Sequence, residues 1–170
     1  MGITVLGIGN VLMGDEGVGV HAIRALEENY SFPGHVRLLD GGTMGLDLLP
    51  FIEGSERLLI VDAVNSGSAP ASLRIFEGAE IPSALSQKFS VHQIGVQDML
   101  FAMDITDTAP EEICLVGIEP KAVELGLELS PELGGAMPGL LEAVVGRLKK
   151  WDVEVRRKED VPRNSIQDSR

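Results

Sequence analysis

Only one cysteine, Cys114, occurs in this sequence, which excludes an internal disulfide and any zinc cage built from cysteines. It lies in the apolar run Ile113-Cys114-Leu115-Val116-Gly117-Ile118, so it reads as a buried, inert thiol rather than a nucleophile. Basic side chains are scarce as well. There are 14 Lys and Arg against 26 Asp and Glu, a net charge of −12. Nucleic acid requires clustered cations to replace its counterions, and an anionic membrane surface makes the same demand, so neither is an expected partner. Residues 151–170 hold five basic and five acidic side chains, which leaves the whole acidic surplus in 1–150. No apolar run approaches the length of a membrane span. The first apolar stretch lacks a basic lead and is interrupted by Gly7 and Gly9, so a secretory signal is not indicated and the cytoplasm is the expected location.

What is present has the rhythm of an α/β domain. A length of 170 residues suits a single core of ordinary size. Ile3 to Ile8 are apolar and rich in β-branching, as a buried parallel strand requires. From Val18, apolar residues at Ala22, Ile23, Leu26 and Tyr30 follow a helical period. Val36-Arg37-Leu38-Leu39 reads as a second strand that ends at Asp40-Gly41-Gly42-Thr43, with a short helix after it from Met44 to Leu49. Leu58-Leu59-Ile60-Val61 reads as a third strand, ending at Asp62. This β-α-β-α-β order specifies a doubly wound sheet. Leu73-Arg74-Ile75-Phe76 alternates, as an antiparallel edge strand would. Ser90-Val91-His92-Gln93 forms a capping box that opens a helix. Ile113 to Ile118 is a fifth strand. Ser130 and Pro131 begin the last helix, in which Gly134, Gly135 and Pro138 predict a kink or restart. The expected fold is therefore a three-layer α/β/α domain over 1–151, with a mostly parallel, doubly wound five-stranded sheet and one antiparallel edge strand. A polar, mobile tail is expected over 152–170.

The chemistry-bearing residues gather where strands end. Gly7-Ile8-Gly9-Asn10 leads from the first strand into Asp15-Glu16-Gly17. If the second and third strands flank the first on opposite sides, the chain reverses there. Glu16 and Asp62 would then meet at the switch point, where open α/β sheets bind ligands. Acidic residues in a first helical turn also simply favour the helix dipole, and that reading of Asp15 and Glu16 stays open. Asp62 at the end of a buried strand needs a partner or an opening to water. His21 and His35 read as surface residues. His92, second in a capped helix, is kept neutral by the dipole, the form that ligates metal, although a structural role for it stays open. Together Glu16, Asp62 and His92 form an O,O,N set suited to a borderline divalent ion. A dinucleotide fingerprint is the competing reading of Gly7-x-Gly9 with Asp40. Against it, Leu12 stands where the third glycine belongs, and the two carboxylates would repel a pyrophosphate.

Taken in order, Gly7-x-Gly9-Asn10, Asp15-Glu16-Gly17-Val18-Gly19, Asp40-Gly41-Gly42-Thr43, Asp62-Ala63 and His92-Gln93 resemble the [NiFe] hydrogenase maturation endopeptidases. The resemblance covers residues 2 to 150 and departs from the family pattern at none of these positions. It implies a cytoplasmic, monomeric processing endopeptidase, of a family sometimes classed with the aspartyl proteases. Such an enzyme removes the C-terminal extension of a hydrogenase large-subunit precursor after nickel insertion. It further implies that Glu16, Asp62 and His92 contact nickel brought by the precursor, with none tightly bound at rest, and that Asp40, Gly41, Gly42 and Thr43 recognise the substrate. The chain carries no nucleophile elbow and no His-Glu-x-x-His helix, which agrees with chemistry that borrows the substrate's metal. A non-catalytic metal-checking protein using the same three ligands is the alternative from another class. A nucleotide-binding module ranks behind it.

Overall fold

The computed structural model describes residues 2–86 and 91–160; of Ser86 and residues 91–94 only the backbone is described. Its elements are β1 (Ile3–Ile8), α1 (Val18–Asn29), β2 (Tyr30–Ser31), β3 (Val36–Gly42), α2 (Leu49–Ile52), β4 (Arg57–Ala63), β5 (Leu73–Glu77), α3 (Glu80–Ser86), α4 (Val91–Ile105), β6 (Glu112–Ile118), α5 (Pro131–Lys150) and β7 (Arg156–Arg157). Five strands form one sheet in the order β3-β1-β4-β6-β5. The first four run parallel, and β5 pairs antiparallel with β6 at the edge. The expected α/β/α architecture is the one observed.

Strand alternation divides the core in two. Leu59, Val61 and Ala63 of β4, with Cys114, Val116 and Ile118 of β6, pack under α1 and α5. Leu58 and Ile60 of β4 and Leu115 of β6 face the other way, against Ile52, Ile81, Val96 and Met99 of α2, α3 and α4. By the same alternation Asp62 falls on the face that α4 covers. That helix begins at the carboxyl edge of the sheet and runs back toward the start of β6.

Several local expectations are revised. The second strand extends through Gly42, so Asp40-Gly41-Gly42 lies within it; the register slips between Gly7↔Asp40 and Ile8↔Gly42, leaving Gly41 as a bulge. The helix after it is a 3-10 turn over Gly45–Leu48 continuing into α2. Helix α3 has no counterpart in the sequence reading, because seven residues are too few for a helical period to stand out. Ser130 does cap α5, accepting a hydrogen bond from Leu133 N–H at 3.3 Å. However, α5 runs unbroken through Pro138, where the missing N–H removes only one rung of the ladder. His35 is exposed, but His21 is half-buried, and its Nε2 has no hydrogen-bond partner. The packing also continues past residue 151. Val153 is buried in the core, and Arg156–Arg157 pair antiparallel with Tyr30–Ser31. Ser90, the expected cap of α4, and residues 161–170 lie outside the described residues. Among the described residues no helix is long and apolar enough to cross a membrane.

Burial lifts the Cys114 thiol from 9.0 to about 11, so almost no thiolate exists at neutral pH. Ellman's reagent should therefore label no thiol in the native protein and one per chain in guanidinium chloride. Rapid native labelling would contradict the buried placement.

Candidate functional site

The switch point is built by backbone meeting backbone. A Cβ on Gly19, at the start of α1, would lie 2.2 Å from the Val61 carbonyl oxygen and 2.4 Å from that of Ile8. The helix start thus rests across the ends of β1 and β4 with no room for a methyl group. Gly9 holds φ +133°, and a Cβ there would fall 1.8 Å from the Glu16 carbonyl oxygen. Only glycine accepts both the dihedral and the contact. The 3-10 turn Gly14–Gly17 is consequently pressed onto the sheet edge near Asp62, the penultimate residue of β4. The strand order β3-β1-β4 puts the turn that carries Glu16 and the strand that carries Asp62 at one carboxyl edge of the sheet.

The two adjacent acids of the turn differ completely in their surroundings. Asp15, 0% exposed, accepts four hydrogen bonds: from Lys121 N–H at 2.9 Å, Ala122 N–H at 3.0 Å, Ser130 N–H at 2.7 Å and the Ser130 hydroxyl at 2.8 Å. Burial pushes its pKa up, but the bonds from Ser130, Ala122 and Lys121 outweigh this and hold it below 3.8. Glu16 is 4% exposed, and its Oε1 is buried without a hydrogen-bond partner. Asp15 is a structural clamp, whereas Glu16 keeps a buried acceptor without a hydrogen-bond partner among the described residues. Helical pattern does not separate the two, since both suit the first turn equally; only the family resemblance singles out Glu16.

Asp62 is fully buried at the register position opposite Gly117. His92 lies in the first turn of α4, and the backbone of that helix is at the same edge. A Cβ on Gly95 would come within 2.8 Å of Gly45 Cα, so this turn of α4 abuts the chain just after β3. The His92 side chain is outside the described residues, and among those described no group of three His, Cys, Asp or Glu side chains could hold a metal ion.

Asp40 is exposed and folds back on its own turn. Its Oδ1 accepts the Gly42 N–H at 3.2 Å, and its Oδ2 faces Arg24 at 3.5 Å, an exposed pair of small energetic weight. Gly42 reaches the glycine motif through its carbonyl, which accepts the Gly9 N–H at 2.9 Å. Gly41 is buried and Thr43 exposed. The Asp40–Thr43 turn therefore adjoins the Glu16 turn. Glu119, buried after β6, is a further carboxylate absent from the sequence reading. Its Oε2 accepts from Ser66 N–H at 2.9 Å and the Ser66 hydroxyl at 2.8 Å, which fastens the loop that follows Asp62.

The comparisons with known proteins agree with this geometry. The family model described as HycI, hydrogenase maturation protease, matches residues 20–147. The chain is 37% identical over 169 residues to the Hydrogenase 2 maturation protease of Escherichia coli, covering 99% of this chain and 100% of the relative. It is 39% identical over 155 residues to the hydrogenase expression/formation protein HupD of Rhodobacter capsulatus, covering 90% and 74%. Among solved structures, the hydrogenase maturating endopeptidase HybD from E. coli superposes with a TM-score of 0.91 at 37% identity, covering 95% of this chain and 100% of that one. The [NiFe] hydrogenase maturation protease HybD from Thermococcus kodakarensis superposes with a TM-score of 0.70 at 32% identity, covering 87% and 99%.

Two variants separate the neighbouring acids. Asp15→Asn removes the charge that four donors meet and turns an amide NH2 toward at least one of them, which should cost about 3 kcal/mol, within the range for a broken buried charged hydrogen-bond set. Because the folded pKa of Asp15 is lowered, its contribution is present above the ordinary carboxylate value and lost as pH falls through the lowered one. The difference in Tm between wild type and Asp15→Asn should accordingly be large at pH 7 and shrink below pH ~4. A gap independent of pH would refute the assignment. Glu16→Gln removes a buried charge without removing a hydrogen bond to Oε1, so its Tm should equal or exceed that of wild type.

Proposed function

This chain belongs to the hydrogenase maturation protease family, and on that premise we propose that it removes the C-terminal extension of a [NiFe] hydrogenase large-subunit precursor once nickel is in place, reading the substrate-held nickel through Glu16, Asp62 and His92. The observation that carries this reading is the buried Glu16 Oε1 with no hydrogen-bond partner, at the edge of the sheet where β4 closes with Asp62 and Ala63 and α4 begins. A buried carboxylate oxygen left without a donor is unfavourable, and an arriving divalent ion relieves that penalty. Oxygen donors from Glu16 and Asp62 with an imidazole from His92 suit a borderline cation and leave coordination positions to the substrate.

The protein's own part in the reaction is then positional and electrostatic. The rigid glycine-packed turn holds Glu16 at the edge without further ordering on binding, so the incoming metal centre docks in one register. The adjoining Asp40-Gly41-Gly42-Thr43 turn, tied to Gly9, takes the neighbouring precursor chain. Nickel held there either polarises the scissile carbonyl and activates water or fixes the distance at which the peptide is cut. Under both schemes an empty precursor is refused, because without the ion the three side chains have nothing to hold. The enzyme acts in the cytoplasm as a monomer and carries no nickel of its own at rest.

The experiment is mass spectrometry of large-subunit precursor, nickel-loaded and nickel-free, after incubation with the protein. Loss of the extension from the loaded form alone is the expected result. Loaded precursor that stays intact but bound is the result a metal-checking protein would produce. His92→Ala and Asp62→Asn should each slow processing by at least about 100-fold, the scale of removing a group used only in the transition state, with far-UV circular dichroism unchanged. Wild-type rates in either variant would remove that residue from the site.

A further inference from the structure

The turn that carries Glu16 also anchors a display of bare leucines. Leu12 is 53% exposed, Leu125 85% and Leu127 66%. They are brought side by side by a single parallel bridge: Gly126 N–H donates to the Leu12 carbonyl at 2.9 Å, and its carbonyl accepts the Gly14 N–H at 2.9 Å. The loop is held at both ends by the Asp15 carboxylate, through Lys121 and Ala122 on one side and Ser130 on the other. The leucines are thus presented on a fixed frame. In a β-bridge the residues flanking the paired one turn their main-chain groups the opposite way. Among the described residues the N–H and C=O of Leu125 and Leu127 make no hydrogen bond.

We propose that this leucine ridge is the docking surface for the precursor chain around its scissile bond, and that it takes an extended segment with apolar side chains flanked by basic ones. The proposal rests on the reading of Glu16 as part of the site. Continuity with that site is direct: Glu16 N–H donates to the Met13 carbonyl at 3.3 Å, so ridge and carboxylate share one turn. Free main-chain groups beside leucines suit an added strand, whose backbone supplies affinity and whose alternate side chains meet the apolar surface. Because the frame is already ordered, docking sacrifices little conformational entropy. The basic flanks follow from charge. Glu124 and Glu128 are exposed and make no ion pair among the described residues, while Lys121 is engaged by Glu132 at 3.6 Å. A second copy of this chain is a poor occupant, since its own net charge of −12 opposes self-association.

The test measures processing of nickel-loaded precursor by Leu125→Ser/Leu127→Ser and by Glu124→Lys/Glu128→Lys. The leucine variant should raise KM at least about tenfold, with kcat within twofold and an unchanged Tm, because both side chains are already in water. The charge variant should raise KM and flatten its dependence on salt. A wild-type KM in either variant, or a loss confined to kcat, overturns the proposal. Failure of the Glu16 reading is distinguishable: it appears as wild-type processing by Glu16→Gln, whatever the leucine variant does.

Discussion

The close approach of α1 to the ends of β1 and β4 is the constraint on which the rest of the site depends. Gly9 against the Glu16 carbonyl, and Gly19 against Val61 and Ile8, leave no space for any other residue. They bring two remote stretches of chain to one edge with backbone precision rather than through adjustable side chains. Asp15 then uses its four hydrogen bonds to secure the loop after β6 to the same turn. A fully hydrogen-bonded acid and an unpartnered one are therefore neighbours in sequence. One is saturated and thereby rigidifies its surroundings, and the other is left with an open acceptor.

The arrangement explains how a protease can work with so little conventional equipment. Its thiol is buried and protonated, and His21, whose pKa is lowered by burial and by Arg24, lies on α1 without a hydrogen-bond partner at Nε2. On the proposed function, reactivity held in the substrate's metal centre would remove the need for a permanently activated nucleophile.

The layout of the fold was legible because each strand carried a distinct signature. β4 and β6 are nearly continuous apolar runs, as strands covered on both faces must be. β5 does pair antiparallel at the edge, although Leu73 and Ile75 are exposed and Phe76 is its buried side chain, so the alternation did not mark the buried face. The β-α-β-α-β sequence indicated a doubly wound parallel sheet, while the order β3-β1-β4 entered the sequence argument only as a condition that the structure meets. The difference between Asp15 and Glu16 was not legible, because it is created by Lys121, Ala122 and Ser130, more than a hundred residues away along the chain. The burial of Val153 and the pairing of Arg156–Arg157 with Tyr30–Ser31 were hidden for a related reason: a polar stretch becomes ordered when an edge elsewhere accepts its backbone. Ser130 is intermediate. Its capping role was visible in Ser130-Pro131, but its bonds to Asp15 were not.

The position of β5 has one more consequence, for synthesis on the ribosome. β5 pairs only with β6, and β6 lies between it and β4 in the sheet while following it in the chain by some 35 residues. Until Glu112–Ile118 has emerged, the nascent polypeptide carries an unpaired β4 margin and an unpaired β5, both open to pairing with other chains. Insertion of β6 closes this margin from within, making the last parallel strand the step that commits the emerging domain to solubility.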